Sequence, residues 1–147
     1  MERREIIKWL SRPFEMHKEI RYLTNVLPLW ETLAIKATSN PSEPLGAGGS
    51  GQGGRMENYS VLIVDGRKEL EELEREYPKV KKEVLAVVNR VATPKYRNLL
   101  MGRYIRYEKW KTIAKDTGYS EIHVRSELLW QATRVVGMYL DRLENNT

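Results

Sequence analysis

This sequence of 147 residues contains no cysteine, one phenylalanine and only two histidines. Without cysteine it forms no disulfides and has no thiolate chemistry, and its redox compartment is left open. With two histidines and no His-x-x-His or His-Glu-x-x-His pair, it predicts no metal site and no cofactor. No apolar run approaches the ~18 residues of a membrane span, and no signal peptide is visible. We therefore expect a cytoplasmic protein without a membrane partner.

Positive charge is concentrated in the C-terminal part of the chain. Lys and Arg (25) exceed Asp and Glu (20), which gives a net charge of +5. Residues 91–147 carry +4, whereas residues 1–38, 39–55 and 56–90 carry +2, 0 and −1. A basic excess is compatible with nucleic-acid binding, although many proteins with other functions are equally basic. Any nucleic-acid site is therefore expected in the last 57 residues.

Residues 39–55 hold six of the ten glycines and two of the six prolines. Such a stretch buries too little apolar surface to offset its backbone entropy, so we predict a flexible loop. A phosphate-binding loop would need a Gly-Lys-Ser/Thr ending or a βαβ context, and the sequence has neither.

On both sides of this loop, apolar residues recur at alternating three- and four-residue steps, as at the a and d positions of a heptad repeat. The two stripes are Ile6, Trp9, Met16, Ile20, Leu23, Leu27, Trp30, Ala34 and Ala37, and then Tyr59, Ile63, Gly66, Leu70, Leu73, Tyr77, Val80, Val84, Val87 and Val91. They predict an antiparallel helical hairpin over residues 1–90, a coiled-coil region that could self-associate into a dimer or higher homo-oligomer. Pro13, Pro28 and Pro78 each remove a backbone donor, so kinks or breaks are expected there and each arm is predicted to be two shorter helices. Tyr59–Val64 has strand-like composition and is interpreted as the start of a helix.

Residues 93–147 are predicted to form a second helical domain, and the whole chain an all-α fold. Thr93 and Pro94 are a helix N-cap and a first helical residue, so a helix is expected to run from there to about residue 106. A shorter helix is expected from residue 108 to 116, and a final one from about residue 120 to 143.

The spacing around residue 118 is typical of a helix-turn-helix. Two helices that cross steeply need a small residue at their contact, which Ala114 supplies, and apolar partners such as Ile113 and Val124. Gly118 can adopt the positive φ of a tight reversal. Ser120 can cap the second helix, which is then the candidate for the DNA major groove.

The residues that carry this pattern also resemble a known family. Leu99-Leu100-Met101-Gly102-Arg103-Tyr104-Ile105, followed by Trp110-x-x-Ile113-Ala114-x-x-x-Gly118-Tyr119-Ser120-x-x-x-Val124, resembles region 4 of bacterial sigma factors. It is more closely similar to phage-encoded sigma-region-4-like regulators, the ArpU/RinA-like late-gene activator family. The resemblance covers residues ~96–126 and extends to the preceding hairpin with its glycine-rich loop. It implies promoter-proximal binding of double-stranded DNA and transcription activation in a phage or prophage. Bacterial RNA polymerase would be a further partner, and the host nucleoid the location.

The sequence also departs from this family. Family recognition helices tend to carry Arg and Lys just after the capping serine, where Glu121 and Ile122 stand here, and Glu127 occupies a position that is usually aliphatic. The rest of the final helix is unusually apolar and contains Trp130. That tryptophan either packs in the core against Tyr104 and Leu100 or forms an intersubunit contact.

The predicted DNA-binding residues fall into three groups. His123 and Arg125 flank Val124 and should point outward to base edges, where Arg125 could pair with a guanine. Lys111, Tyr119 and Ser120 are better placed for phosphates. The remaining members belong to the recognition helix or to the basic run before it: Glu121, Ile122, Ser126, Arg103, Arg106 and Lys109. Lys95 and Arg97 complete that basic run. Each of these has an alternative interpretation as a solvated surface residue.

Two other functions remain open at this point. A phage small terminase-like subunit would also combine a helix-turn-helix with a helical oligomerisation region. A protein-interaction module or inhibitor could keep the fold without DNA binding. An enzyme is not expected, because the acidic cluster alternates with Lys and Arg as on a solvated, salt-bridged helix face. Its members are Glu69, Glu71, Glu72, Glu74 and Glu76.

Overall fold

The computed structural model describes residues 1–38 and 51–146. Within these ranges every regular element is helical and there is no strand, which confirms the all-α prediction. The α-helices are α1 (Arg3–Thr38), α2 (Gly51–Asn89), α3 (Pro94–Leu100), α4 (Trp110–Thr117), α5 (Glu121–His123) and α6 (Leu129–Asn145). A π-helical turn, Met101–Ile105, continues α3, and a second, Val124–Leu128, joins α5 to α6. None of the described helices combines the length and the apolarity that crossing a membrane requires.

The helices α1 and α2 are not interrupted at their prolines, so the predicted breaks are wrong. Pro13 cannot donate to the carbonyl of Trp9, but that oxygen accepts a hydrogen bond from Nε of Arg12 at 3.0 Å. Pro28 and Pro78 are exposed, and a carbonyl freed on an exposed helix face can bind water. At Pro13 the lost helical bond is therefore replaced by a side-chain hydrogen bond.

The predicted loop at residues 39–55 lies mostly outside the described residues. Its last five residues belong to α2, which begins at Gly51, so the loop was predicted to extend too far. Tyr59–Val64 lies within the same helix, and its interpretation as helical is confirmed.

The chain forms two compact units, one of Met1–Met16 with Tyr77–Thr147 and the other of His17–Glu76. In the second unit the two apolar stripes meet at Gly66. A Cβ there would lie 3.0 Å from Cδ2 of Leu27 and 3.1 Å from Cζ3 of Trp30, so the glycine permits close helix packing. Arg67 forms an ion pair with Glu31 beside this contact.

The first unit contains the main apolar core. Both ends of the predicted hairpin contribute to it, for example Leu10 from α1 and Val88 from α2. The first turns of α1 pack on α6, because a Cβ at Gly137 would lie 2.7 Å from Cδ1 of Ile6. This core contains residues from both sides of the domain boundary that the sequence predicts between residues 90 and 93.

Candidate nucleic-acid interface

The turn between α4 and α5 has the conformation that the sequence predicts. Gly118 adopts φ 78°, and its N–H donates to the carbonyl of Ala114 at 3.0 Å. The hydroxyl of Thr117 donates to the same carbonyl at 3.0 Å and accepts from the N–H of Tyr119 at 3.4 Å. The carbonyl of Ala114, in the last turn of α4, therefore accepts two hydrogen bonds.

The helix after the turn begins as predicted. Ser120 has extended backbone angles, and its Oγ accepts a hydrogen bond from the N–H of His123 at 3.2 Å. The helical path then runs from Glu121 through the second π-helical turn to Asn145, two residues past the predicted end. The N-cap is therefore confirmed by its hydrogen bond.

The inner faces of α4 and of this second helix are apolar and buried. Ile113, Ala114 and Val124, predicted to lie where the helices meet, belong to the core of the first unit. Burial of these three side chains fixes the rotation of both helices, so it also determines which residues face away from the core.

The outer face consists of the first two turns after Ser120. Glu121, Ile122, Arg125 and Ser126 are exposed, and for Arg125 this is the outward orientation that the sequence predicts. His123 was also expected to point outward, but it is half-buried, and its ring centroid lies 4.8 Å from that of Tyr119. The exposed residues Ser120, Glu121, Ile122, Arg125 and Ser126 are together called the outer turn segment below.

Charges on the outer turn segment are partly paired. Nη1 of Arg125 lies 3.7 Å from Oε1 of Glu121, one helical turn earlier. Exposed pairs with this spacing contribute only ~0.3–0.5 kcal/mol. Lys111 on α4 is exposed, and among the described residues it has no carboxylate within ion-pair distance. The basic charge available at this surface therefore comes from α4 as much as from the second helix.

The basic run before α4 divides into inward and outward side chains. The guanidinium of Arg103 lies 4.6 Å over the ring of Trp110 and donates to the carbonyl of Glu108 at 3.1 Å. Arg97 likewise donates to the carbonyl of Val91 at 3.1 Å. Both arginines therefore stabilise the fold locally.

The three remaining cations of this run lie at the surface. Lys95 and Lys109 are exposed, and Lys109 is also the N-cap of α4. Arg106 is 59% exposed while it pairs with Glu108 at 2.6 Å. A cleft of about 440 Å³ beside α4 combines Lys95 and Arg106 with the carboxylates of Glu108 and Asp116. Its charge is therefore balanced, so the cleft itself does not favour an anion.

Comparison with known proteins gives no assignment. No protein-family model matches this sequence, and no curated protein or solved structure matches it. The similarity to phage sigma-region-4-like regulators therefore stays a prediction that rests on the residues of the motif.

An aromatic cluster that the sequence does not predict precedes α4. Tyr107 has φ 60°, unusual for a residue with a side chain, and its hydroxyl lies 2.7 Å from that of Tyr77. The ring of Phe14 lies 5.1 Å from that of Tyr107, and Nζ of Lys81 lies 5.0 Å from the Tyr107 ring. Burial and the hydrogen bond to Tyr77 raise the pKa of Tyr107 above its ordinary value. Nothing in the local sequence indicates this arrangement, because its members come from three separate segments.

The tryptophans differ in exposure. Trp110 is half-buried against the core. Trp130 is 40% exposed, and the guanidinium of Arg134 lies over its ring, 4.8 Å from the ring centroid. The core interpretation of Trp130 is therefore wrong.

In the described ranges no three His, Asp or Glu side chains are grouped as metal ligands would be.

Proposed function

We propose that this chain is a duplex-DNA-binding transcriptional regulator of phage type, in which α4 and the helix that starts at Glu121 form a helix-turn-helix. One observation carries the proposal. The outer turn segment is exposed directly after a left-handed Gly118, while Ile113 and Val124 are buried behind it. In helix-turn-helix proteins, the corresponding N-terminal residues of the second helix contact base edges in the major groove.

In this proposal the contacts divide by chemistry. Lys111, Tyr119 and Ser120 bind phosphates and set the register, because backbone contacts make up most of such interfaces. Arg125 reads a base edge, guanine being the partner that matches its paired donors. To do so it must leave Glu121, which costs little because the pair is exposed.

A salt titration tests the proposal. Anisotropy of a labelled 30-bp duplex would be measured at several salt concentrations between 50 and 200 mM. If about four phosphates are neutralised, the affinity should fall roughly a hundredfold over this range. Lys68→Ala, which removes an exposed cation of the other unit, is the matched control and should keep the wild-type slope. Absence of binding, or binding that does not depend on salt, would overturn the proposal.

A protein-interaction module is a second candidate, favoured by the exposed apolar side chains of α6. Trp130 is 40% and Met138 58% exposed, and both line the same groove. Exposed tryptophan is typical of interaction surfaces. If this candidate is correct and the partner is a second copy of the chain, Trp130→Ala lowers the mass measured by light scattering, and no duplex binds at any salt concentration.

A further inference from the structure

Ile122 is the most exposed large hydrophobic side chain in the described part of the chain. It is 81% exposed, and it lies in the first turn after the Ser120 cap. The other exposed residues of the outer turn segment are polar or charged. An apolar side chain on a proposed DNA-reading surface favours binding only if it packs against an apolar group of the DNA.

The major groove offers one such group on the base edges, the 5-methyl of thymine. Isoleucine is branched at Cβ and holds essentially one χ1 rotamer in a helix. Its Cγ2 methyl group is therefore held in place before DNA binds. We infer that Ile122 is a specificity-determining residue that contacts a thymine methyl, an inference that rests on the proposed function.

Ser126 adds a second element to the same face, one helical turn further on. Its hydroxyl donates to the carbonyl of Ile122 at 2.6 Å, so its lone pairs remain as acceptors. An acceptor at this position matches the amino group of adenine or cytosine. The preferred site therefore contains a thymine near a base that presents an amino group.

Replacement of thymine by deoxyuridine tests this directly, because it removes only the methyl group. A duplex would be selected with the wild-type protein from a randomised 30-bp pool, and each thymine then replaced singly. One replacement should weaken binding about fourfold, the factor for about 0.8 kcal/mol per buried methyl-sized group. In Ile122→Ala the same replacement should have no effect, while the binding of the unmodified duplex is weaker than that of wild type.

Two controls make the outcome specific. Ile122→Ala should keep the wild-type melting temperature, because surface substitutions rarely change stability by more than about 0.5 kcal/mol. Met138→Ala, which removes another exposed apolar side chain, should retain the fourfold deoxyuridine effect.

The failures are distinguishable. If duplexes are selected but no thymine shows the effect, or the effect persists in Ile122→Ala, the inference is overturned and the proposed function stands. If no duplex is selected from the pool, both are overturned, and a protein surface becomes the remaining partner for Ile122.

Discussion

The hydroxyl groups of Tyr77 and Tyr107 lie 2.7 Å apart and share a hydrogen bond. Tyr77 belongs to the end of α2 that lies in the first unit, and Tyr107 lies three residues before α4 begins. The position of α4 is thus linked to α2 by a side-chain contact in addition to the chain itself. In the proposed function, this contact helps to hold the DNA-facing helices in place.

The left-handed backbone of Tyr107 predicts an unusual order of stabilities. Tyr107→Ala and Tyr107→Gly both lose the hydrogen bond and the ring packing, so both should be less stable than wild type. Glycine adopts φ 60° without strain, whereas alanine does not. The glycine variant should therefore be more stable by about 1 kcal/mol in urea unfolding. An alanine variant of equal or greater stability would show that this backbone is not left-handed.

Gly118 should be sensitive to substitution for backbone reasons alone. A Cβ added there meets no atom within 4 Å, so any cost comes from φ 78°. Gly118→Ala is expected to lower the free energy of unfolding by about 1–2 kcal/mol. Gly118→Asn should lose less, because asparagine tolerates the left-handed region. Urea unfolding of the two variants checks this, and an alanine variant as stable as wild type would contradict the turn geometry.

Tyr104 predicts a loss of stability at alkaline pH. Burial raises its pKa to about 12, against opposing effects of Arg103 and Arg3. Its ordinary pKa is 10.0, so between pH 10 and 12 the unfolded chain loses this proton while the folded chain keeps it. Stability is therefore complete below pH 10 and declines as the pH rises through 12, by roughly 2–3 kcal/mol.

The Tyr104→Phe variant isolates this effect, because the other titrating groups are common to both proteins. Urea unfolding at pH 9 and at pH 11.5 should show a smaller loss for the variant than for wild type. Parallel losses in the two proteins would mean that the Tyr104 hydroxyl is not buried as described.

Lys111 and Arg125 should have different effects on DNA binding. Lys111→Ala should weaken selected and random duplexes alike and reduce the salt slope by about one. Arg125→Ala should weaken the selected duplex more than a random one, by about 1–3 kcal/mol. Because Arg125→Ala also leaves the Glu121 carboxylate unpaired, the comparison should be repeated with Glu121→Gln. Equal losses on both duplexes in that background would show that Arg125 contacts only phosphate.

The helical stripes could be predicted because burial repeats with the helical period. Each stripe residue that the structure describes is buried or half-buried, from Ile6 to Val91. The prolines gave the wrong prediction because a lost backbone donor was expected to break the helix. At Pro13, the side chain of the neighbouring Arg12 donates to the carbonyl of Trp9 in place of the missing backbone N–H. This hydrogen bond depends on a side-chain conformation that residue type and spacing do not indicate.

Parts of the candidate site were predictable for a similar reason. Gly118 and Ser120 act through their own backbone and side chain, so residue type and spacing were sufficient. The inward orientation of Arg103 and the contact between Tyr77 and Tyr107 depend on residues brought together by the fold. No periodicity or spacing rule indicates such contacts.

The central claim is that the outer turn segment contacts duplex DNA. The most direct test is to record amide chemical shifts of the full chain while a duplex selected from a randomised pool is added at low salt. The account predicts that the largest changes fall on residues 109–126, with Ile122 and Arg125 among them, and that they reverse at high salt. Unchanged amides in that segment while the duplex binds elsewhere on the chain would contradict it.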